Sequence, residues 1–132
     1  MHLPDLVALD TLLAVAVFFG AGVAVARGRA RFKIAAPATS GHPDFDRLFR
    51  TQMNTLEALA LFLPSLWVAA LHADRLLVGG IGLAWVVGRT WYAIAYANDA
   101  KKRGPGFVIG MIATVALWLI AAWSLVVAAM AG

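Results

Sequence analysis

The fold of this chain is decided by the stretch FVIGMIATVALWLIAAWSLVVAAMA at residues 107–131, which contains no charged side chain. An α-helix needs about 20 mostly apolar residues to cross the hydrocarbon core of a bilayer, so this stretch is long enough to span. Three further apolar runs lie at residues 6–26, 55–73 and 76–96, and each of them carries a single charged residue. The sequence therefore predicts four transmembrane helices.

The composition supports the same interpretation. The chain has 132 residues, of which 62% are hydrophobic and only 14% are charged, and its mean hydropathy is +0.81. A soluble domain of this size needs more polar surface than that. We therefore expect an all-α integral membrane four-helix bundle, forming one domain over residues 1–132. We interpret the run at 6–26 as a mature helix, because it is too long for the apolar core of a signal peptide and basic residues follow it.

The positive charges predict the orientation in the membrane. Six of the eleven basic residues lie between the first two spans, at positions 27–50, and three more lie at 101–103, between the last two. The positive-inside rule places both loops in the cytoplasm and both termini outside. Basic loops beside a membrane contact lipid headgroups, so the pI near 10.1 indicates lipid rather than nucleic acid as the partner. We expect a bacterial inner membrane, with the endoplasmic reticulum as the alternative.

Turn residues mark the connections between the spans. Pro37, the Thr39-Ser40-Gly41 triplet and His42-Pro43 break the first loop, and the acids at 44 and 46 then open the second helix. The connection at residues 72–75 is short enough for an antiparallel hairpin. The Gly-Pro-Gly at 104–106 is expected to stop the third helix and let the fourth begin.

Span two begins with an unusual set of polar residues. Arg50, Asn54 and Glu57 are spaced by four and three positions, so they lie on one face of the helix. Gln52 lies about 200° from Arg50 around the helix and must meet a different neighbour. Ionisable groups at this depth normally face a cavity or a bundle interior. The alternative is an internal Arg50–Glu57 salt bridge that only holds the bundle together.

A second polar face follows span three. Arg89, Tyr92, Tyr96 and Arg103 follow one another at steps of three, four and seven, which predicts a continuous face. The tyrosines alone would also suit an interfacial aromatic belt. Arg89 is interpreted as structural, paired with Glu57 or another buried acceptor. Two such faces predict a hydrophilic pocket that opens to the cytoplasm.

The predicted pocket suits a small anionic ligand that carries amides and an ammonium group, because it offers cations, amides, one carboxylate and two phenols. Several other kinds of site are disfavoured. The chain has no cysteine, and its three histidines are scattered, so we predict no metal site. There is no Ser-His-Asp arrangement and no glycine-rich phosphate loop. The histidines are His2, His42 and His72.

These motifs resemble the family of membrane-associated proteins in eicosanoid and glutathione metabolism, which includes microsomal glutathione transferases and leukotriene C synthase. The resemblance covers most of the chain. It is carried by Gly-His-Pro at 41–43, by Arg-x-Gln-x-Asn-x-x-Glu at 50–57, by Arg-x-x-Tyr-x-x-x-Tyr at 89–96, and by Lys102-Arg103.

The resemblance implies a homotrimer with one glutathione site between each pair of subunits. One subunit would contribute the positions Arg50, Asn54, Glu57, Tyr92, Tyr96 and Arg103. The next subunit would contribute Arg29 and Gln52. Arg103 would act catalytically by stabilising the glutathione thiolate.

The resemblance also leaves alternatives open. Ala58 stands where several relatives have a glutathione-holding tyrosine, and Ala30 stands where leukotriene C synthase has a second arginine. The leading hypothesis is a membrane glutathione transferase for lipophilic electrophiles, with peroxidase activity toward lipid hydroperoxides as an additional reaction. The second is a non-catalytic lipid-binding or scaffold protein, and the third, weaker one is a small-molecule carrier. We expect apolar residues of spans one and four to line the electrophile site.

Overall fold

The computed structural model describes residues 5–132, so His2 lies outside the described part of the chain. These residues form four long helices, and all four are long and apolar enough to cross a membrane. The prediction of an all-helical, four-span chain is therefore confirmed. The helices are α1 (Leu6–Phe32), α2 (Pro43–His72), α3 (Arg75–Asn98) and α4 (Gly104–Ala131), with a 3₁₀ turn at Ala100–Lys102.

The second helix is much longer than its apolar run. It begins at Pro43, because the His42 side chain caps it by accepting a hydrogen bond from the Asp44 backbone N–H. Proline in the first turn and two acids close behind it, Asp44 and Asp46, suit a helix N-terminus. The first turns of α2 thus form a polar extension before the apolar span, as the turn residues predicted.

The hairpin between α2 and α3 is tight, as predicted, and it is tied to the start of α1. Asp74 caps α3 by accepting a hydrogen bond from the Leu77 N–H at 2.7 Å. Arg75 then donates to the Asp5 carboxylate at 2.6 Å, and this hydrogen bond lowers the pKa of Asp5. Arg75 also lies 5.8 Å from the centre of the Trp67 ring. These contacts close the end of the bundle away from the long first loop.

The connection between α3 and α4 differs from the prediction that Gly-Pro-Gly at 104–106 stops the third helix. The third helix ends at Asn98, before the Gly-Pro-Gly, because Asp99 adopts an extended conformation and caps the 3₁₀ turn by accepting from the Lys101 N–H. Gly104 and Pro105 instead form the first turn of α4. Arg103 therefore does not continue the α3 face, and the prediction of one unbroken helical face from Arg89 to Arg103 is wrong.

The middle two helices form the centre of the bundle. In the most apolar 18-residue stretch of each helix, 17% of the stretch is buried in α1 and in α4. The buried share is 39% in α2 and 44% in α3. Phe62 of α2 and Trp85 of α3 stack at the core with ring centres 4.1 Å apart. The outer helices leave large apolar side chains exposed, including Phe19 and Trp123. A bilayer accommodates such a surface because its acyl chains are themselves apolar.

Helices α3 and α4 pack backbone to backbone where Gly88 and Gly106 face one another. A Cβ placed on Gly106 would lie 2.5 Å from the Tyr92 backbone nitrogen and 2.6 Å from the Gly88 carbonyl oxygen. No side chain fits there, since both neighbours are backbone atoms that cannot rotate away. Small residues at such crossings let membrane helices pack backbone to backbone. This contact sets the position of Tyr92 relative to α4.

Replacing Gly106 with alanine should therefore force α4 away from α3. We expect Gly106→Ala to lower the thermal midpoint of the detergent-solubilised protein, with a loss of about 1–3 kcal/mol, the usual cost of overpacking. Gly104→Ala, in the same helix, is the matched control because nothing lies within 4 Å of its new Cβ. Equal midpoints for the two variants would contradict the close-approach interpretation.

A buried acid in α1 is a feature that sequence reasoning missed. Asp10 is fully buried, and neither carboxylate oxygen finds a hydrogen-bond partner within residues 5–132. It packs against Gly82 of α3, where an added Cβ would lie 2.1 Å from the Asp10 Oδ2 atom. Burying an unpartnered polar group is destabilising. In the sequence, Asp10 is only a single charged residue near the start of an apolar run, and this pattern does not predict burial against another helix.

The Asp10–Gly82 contact predicts that substitutions at the two positions are coupled. Gly82→Ala should destabilise the bundle, because the new methyl group collides with the buried carboxyl group. Asp10→Ala removes that obstacle. The loss of unfolding free energy in the double variant should therefore be smaller than the sum of the two single losses, by about 0.5–3 kcal/mol. Thermal unfolding of the four proteins in detergent measures this term. Gly80→Ala, with nothing within 4 Å of its Cβ, is the control, and additive effects would rule the contact out.

Candidate functional site

A cavity of about 470 Å³ lies between α2, α3 and the start of α4. It is at the same end of the bundle as the two basic connections. One part of its wall is polar and the other part is apolar. The polar lining residues are Asn54, Glu57, Arg89, Tyr92, Arg103 and Thr114. The remaining lining residues are Ala58, Leu61, Trp85, Gly104, Phe107, Gly110 and Met111.

Four of the predicted glutathione residues line this cavity: Asn54, Glu57, Tyr92 and Arg103. Asn54 and Tyr92 are joined directly, since the Asn54 amide nitrogen lies 2.7 Å from the Tyr92 hydroxyl oxygen and donates to it. Residues of α2 and α3 therefore converge from opposite sides. Their role in binding a ligand stays a prediction, which the geometry makes testable.

Arg89 is buried and has a clear structural partner. Only 5% of it is exposed, and its Nε donates to the Thr55 hydroxyl at 3.1 Å. That hydroxyl in turn donates to the Thr51 carbonyl at 2.7 Å. Of the two partners considered from sequence, the acceptor is thus a buried threonine rather than Glu57. The guanidinium carbon also lies 3.8 Å from the centre of the Tyr92 ring, close enough for a cation–π interaction.

The two tyrosines and Arg103 form a second series of contacts. Tyr92 and Tyr96 stack with ring centres 5.6 Å apart and planes inclined by 25°. The Arg103 guanidinium lies 5.2 Å from the Tyr96 ring centre. Arg103 reaches this position because the 3₁₀ turn at Ala100–Lys102 brings it back beside the end of α3. Arg103 and Tyr96 therefore lie close together, as predicted, but because of the 3₁₀ turn and not because they share one helical face.

Four predicted site residues do not line the cavity. One of them is Tyr96, which stacks on Tyr92. Arg29 donates to the Ala38 carbonyl at 2.6 Å and stabilises the first loop. Gln52 faces α1, where its amide nitrogen would lie 3.1 Å from a Cβ on Gly22. Arg50 is exposed on α2.

The alternative of an Arg50–Glu57 salt bridge is not realised. Within residues 5–132 the ion pairs are Arg47–Asp44 and Arg75–Asp5. Arg50 and Glu57 are both exposed on α2, and Glu57 also lines the cavity. Neither forms an ion pair within the described residues.

The apolar wall extends the cavity along α4, away from the polar groups. It runs from Phe107 to Met111 on one side, and it includes Trp85 and Leu61 on the other. These apolar residues come from α2, α3 and α4, and none of the residues lining the cavity lies in α1. The electrophile site itself stays a prediction. Within residues 5–132, no three His, Asp or Glu side chains gather in a way that could hold a metal ion.

Comparison with known proteins gives the family. The MAPEG family model matches residues 7–123. The uncharacterized protein sll1147 of Synechocystis sp. is 41% identical over 110 residues, which cover 83% of this chain and 80% of that protein. Leukotriene C4 synthase of Rattus norvegicus is 36% identical over 118 residues, which cover 89% of this chain and 76% of the synthase.

A third similar protein is microsomal glutathione S-transferase 2 of Bos taurus, which is 36% identical over 87 residues. The match covers 66% of this chain and 60% of the transferase. The aligned region thus spans less than two thirds of that relative's length. Four membrane-capable helices and a family match over residues 7–123 together show that this chain is an integral membrane protein of the MAPEG family.

Proposed function

We propose that this protein is a membrane glutathione transferase that attacks lipophilic electrophiles with a glutathione thiolate. The observation that carries this proposal is a single cavity in which Glu57, Asn54, Tyr92 and Arg103 adjoin an apolar wall. A hydrophilic thiol and a membrane-dissolved electrophile must meet at such a boundary. Relatives named as a microsomal glutathione S-transferase and a leukotriene C4 synthase support the same chemistry.

The polar groups complement the parts of glutathione. Its ammonium group would pair with the Glu57 carboxylate, and its two carboxylates with arginines, whose planar forks suit bidentate pairing. Asn54 and Tyr92 would bind its amide groups. A cavity of about 470 Å³ lies within the usual range for small-molecule sites.

Arg103 would supply the chemical step. A thiol with a pKa of about 8.5 is mostly protonated at neutral pH, whereas the thiolate is the nucleophile. A nearby guanidinium favours the anion, and the proton leaves to water. The thiolate then forms a C–S bond to the electrophilic carbon, and the electron pair of the breaking bond leaves with the displaced group. With a lipid hydroperoxide as substrate, two glutathiones would be oxidised to a disulfide while the hydroperoxide is reduced to an alcohol and water.

The exposed charges support a homotrimer with shared sites. Arg50 and Glu57 are exposed on α2, beside exposed apolar residues such as Leu61. Charged groups near membrane depth normally meet a partner or a cavity. A neighbouring subunit packed against this face would cover them, and it would bring its own Arg29 and Gln52 toward the cavity. We place this site at the cytoplasmic side of a bacterial inner membrane, because both basic connections lie at that end.

The second candidate is a lipid-binding family member without catalysis. The apolar part of the cavity wall, from Phe107 to Met111, would suit an acyl chain alone. Four predicted glutathione residues also do not line the cavity of the single chain, namely Arg29, Arg50, Gln52 and Tyr96. The two candidates differ in whether glutathione binds and becomes ionised.

Replacing Arg103 tests the catalytic proposal. We expect Arg103→Ala to lower turnover on the order of 10²-fold, as when one stabilising charge or donor is removed from an active site. Glutathione affinity should change only a few-fold, because other groups hold the peptide. Calorimetry measures the affinity, and absorbance near 240 nm follows the thiolate. Lys102→Ala, an exposed neighbour outside the cavity, is the control, and comparable losses of binding and turnover in Arg103→Ala would refute this role.

Co-expression of two defective variants tests whether sites are shared between subunits. Gln52→Ala and Glu57→Gln should each be nearly inactive alone. If each site takes Gln52 from one subunit and Glu57 from the next, a random mixture should restore about a quarter of the sites in a cyclic trimer. If one subunit builds the whole site, every site keeps a lesion and no activity returns. Variants purified separately and then combined without subunit exchange are the control.

A further inference from the structure

Four side chains form a continuous stack from the buried core to the mouth of the cavity. We name Arg89, Tyr92, Tyr96 and Arg103 the arginine–tyrosine stack. Its three contacts are the Arg89 guanidinium over Tyr92 at 3.8 Å, the Tyr92–Tyr96 ring pair at 5.6 Å, and the Arg103 guanidinium over Tyr96 at 5.2 Å. A buried cation thus lies at one end, and the proposed thiolate-stabilising cation lies at the other.

Arg89 is a costly residue to bury if its role is only to join two helices. It is 5% exposed, it makes one side-chain hydrogen bond, to Thr55, and its Nη2 atom has no partner within residues 5–132. A buried cation is destabilising unless its charge is compensated. A neutral side chain would join α2 to α3 without that penalty. The groups near Arg89 that attract its charge are the Glu57 carboxylate, on the wall of the same cavity, and the face of the Tyr92 ring, which carries partial negative charge.

The middle of the stack is held from several sides. Tyr92 accepts a hydrogen bond from Asn54 at 2.7 Å, and its backbone packs against Gly106 of α4. Tyr96 is 8% exposed and cannot move freely. A change at the buried end would therefore pass to Tyr96 through direct ring contact.

The outer end of the stack has little other support. Arg103 is exposed and follows the 3₁₀ turn. Within the described residues its side chain forms no hydrogen bond and no ion pair, and the face of Tyr96 is its aromatic contact. A long exposed arginine without such a surface samples many rotamers, each with an entropic cost when it is ordered. The position of the Arg103 guanidinium thus depends on where Tyr96 lies.

We infer that Arg89 is a positioning residue that orders Arg103 through Tyr92 and Tyr96. This inference rests on the proposed function, in which Arg103 stabilises the glutathione thiolate. The attraction between guanidinium and thiolate falls with their separation, so a disordered Arg103 would stabilise the anion less. Arg89 borders the cavity, but its Nε donates to Thr55 and its guanidinium lies over the Tyr92 ring. It would therefore act on the reaction through Tyr92 rather than by holding glutathione.

Substitution of Arg89 gives a functional test. We expect Arg89→Met to raise the pH midpoint of bound-thiolate formation by about one unit, a tenfold change in the ionisation equilibrium. Turnover should fall about tenfold with it, because rate follows the thiolate fraction. The KM for glutathione should change less than about threefold, since Arg89 does not hold the peptide. Arg89→Lys keeps the charge over Tyr92 and should restore part of the loss.

Thr55→Val separates positioning from mere stability. It removes the hydroxyl to which Arg89 donates but leaves all four members of the stack. Its thermal midpoint should fall, while its thiolate midpoint stays near that of the unchanged protein. If Thr55→Val reproduced the full thiolate shift of Arg89→Met, Arg89 would act only as a structural contact and the inference would fail.

A second readout does not need glutathione. Tyr92 and Tyr96 are the only two tyrosines of the chain, so ring-labelled tyrosine gives two NMR signals in detergent. Arg103→Ala assigns the Tyr96 signal. We expect Arg89→Met to shift both signals, and a shift confined to Tyr92 would overturn the coupling.

The two readouts separate the inference from the proposed function. If the unchanged protein forms no bound thiolate, the proposed function fails and the NMR signals alone decide whether the stack is coupled. If the thiolate forms and persists unchanged in folded Arg89→Met, the inference fails and the proposed function stands. If Arg89→Met does not fold, Arg89→Lys supplies the comparison. An unchanged thiolate midpoint in Arg89→Lys together with a shifted Tyr96 signal would overturn the coupling between Tyr96 and Arg103.

Discussion

The backbone contact between α3 and α4 at Gly88 and Gly106 is the constraint on which the functional end of this protein depends. An added Cβ at Gly106 would come within 2.6 Å of backbone atoms on two residues of α3, so only glycine permits this approach. The contact sets where Tyr92 lies relative to the first turn of α4, and the same turn of α4 lines the cavity. The cavity thus lies beside a close helix–helix contact and does not result from loosely packed helices. In lipid, where no hydrophobic force drives helices together, such small-residue crossings are a principal source of helix association.

Polar groups within the four helices fall into two classes with different energetic consequences. Asp10 and Arg89 are buried inside the protomer, and each has at least one side-chain atom without a partner in the described residues. Arg50 and Glu57 instead lie exposed on α2. Burying a charge of the first class is destabilising unless the charge makes an interaction that a neutral group could not. For Arg89 such an interaction is the cation–π contact with the face of the Tyr92 ring. The second class has no ion-pair partner within the described part of the protomer, and the proposed intersubunit site would supply one.

The family match places this arrangement in context. The family-model match over residues 7–123 includes residues of all four helices. Ala58 lies in the wall between the polar and apolar parts of the cavity. A small side chain there leaves the two parts open to one another. The charged and apolar walls thus form one continuous space, which suits a reaction between a water-soluble thiol and a membrane-dissolved substrate.

The sequence by itself determined the four spans, the turns between them and the two sets of polar residues. Hydropathy, helix capping and the 3.6-residue period are local properties. The acids that open the second helix and the Arg50–Asn54–Glu57 face could therefore be predicted without a structure. Contacts between helices could not be read in this way. Thr55 as the partner of Arg89, the burial of Asp10 against Gly82, and the return of Arg103 through the 3₁₀ turn all depend on helix crossing and on one extended residue, Asp99. The tertiary structure decided the first two because each joins residues far apart in sequence, and the distance between two helix faces is set by packing rather than by periodicity. The position of Arg103 depends instead on the extended backbone of Asp99, which the helical period does not predict.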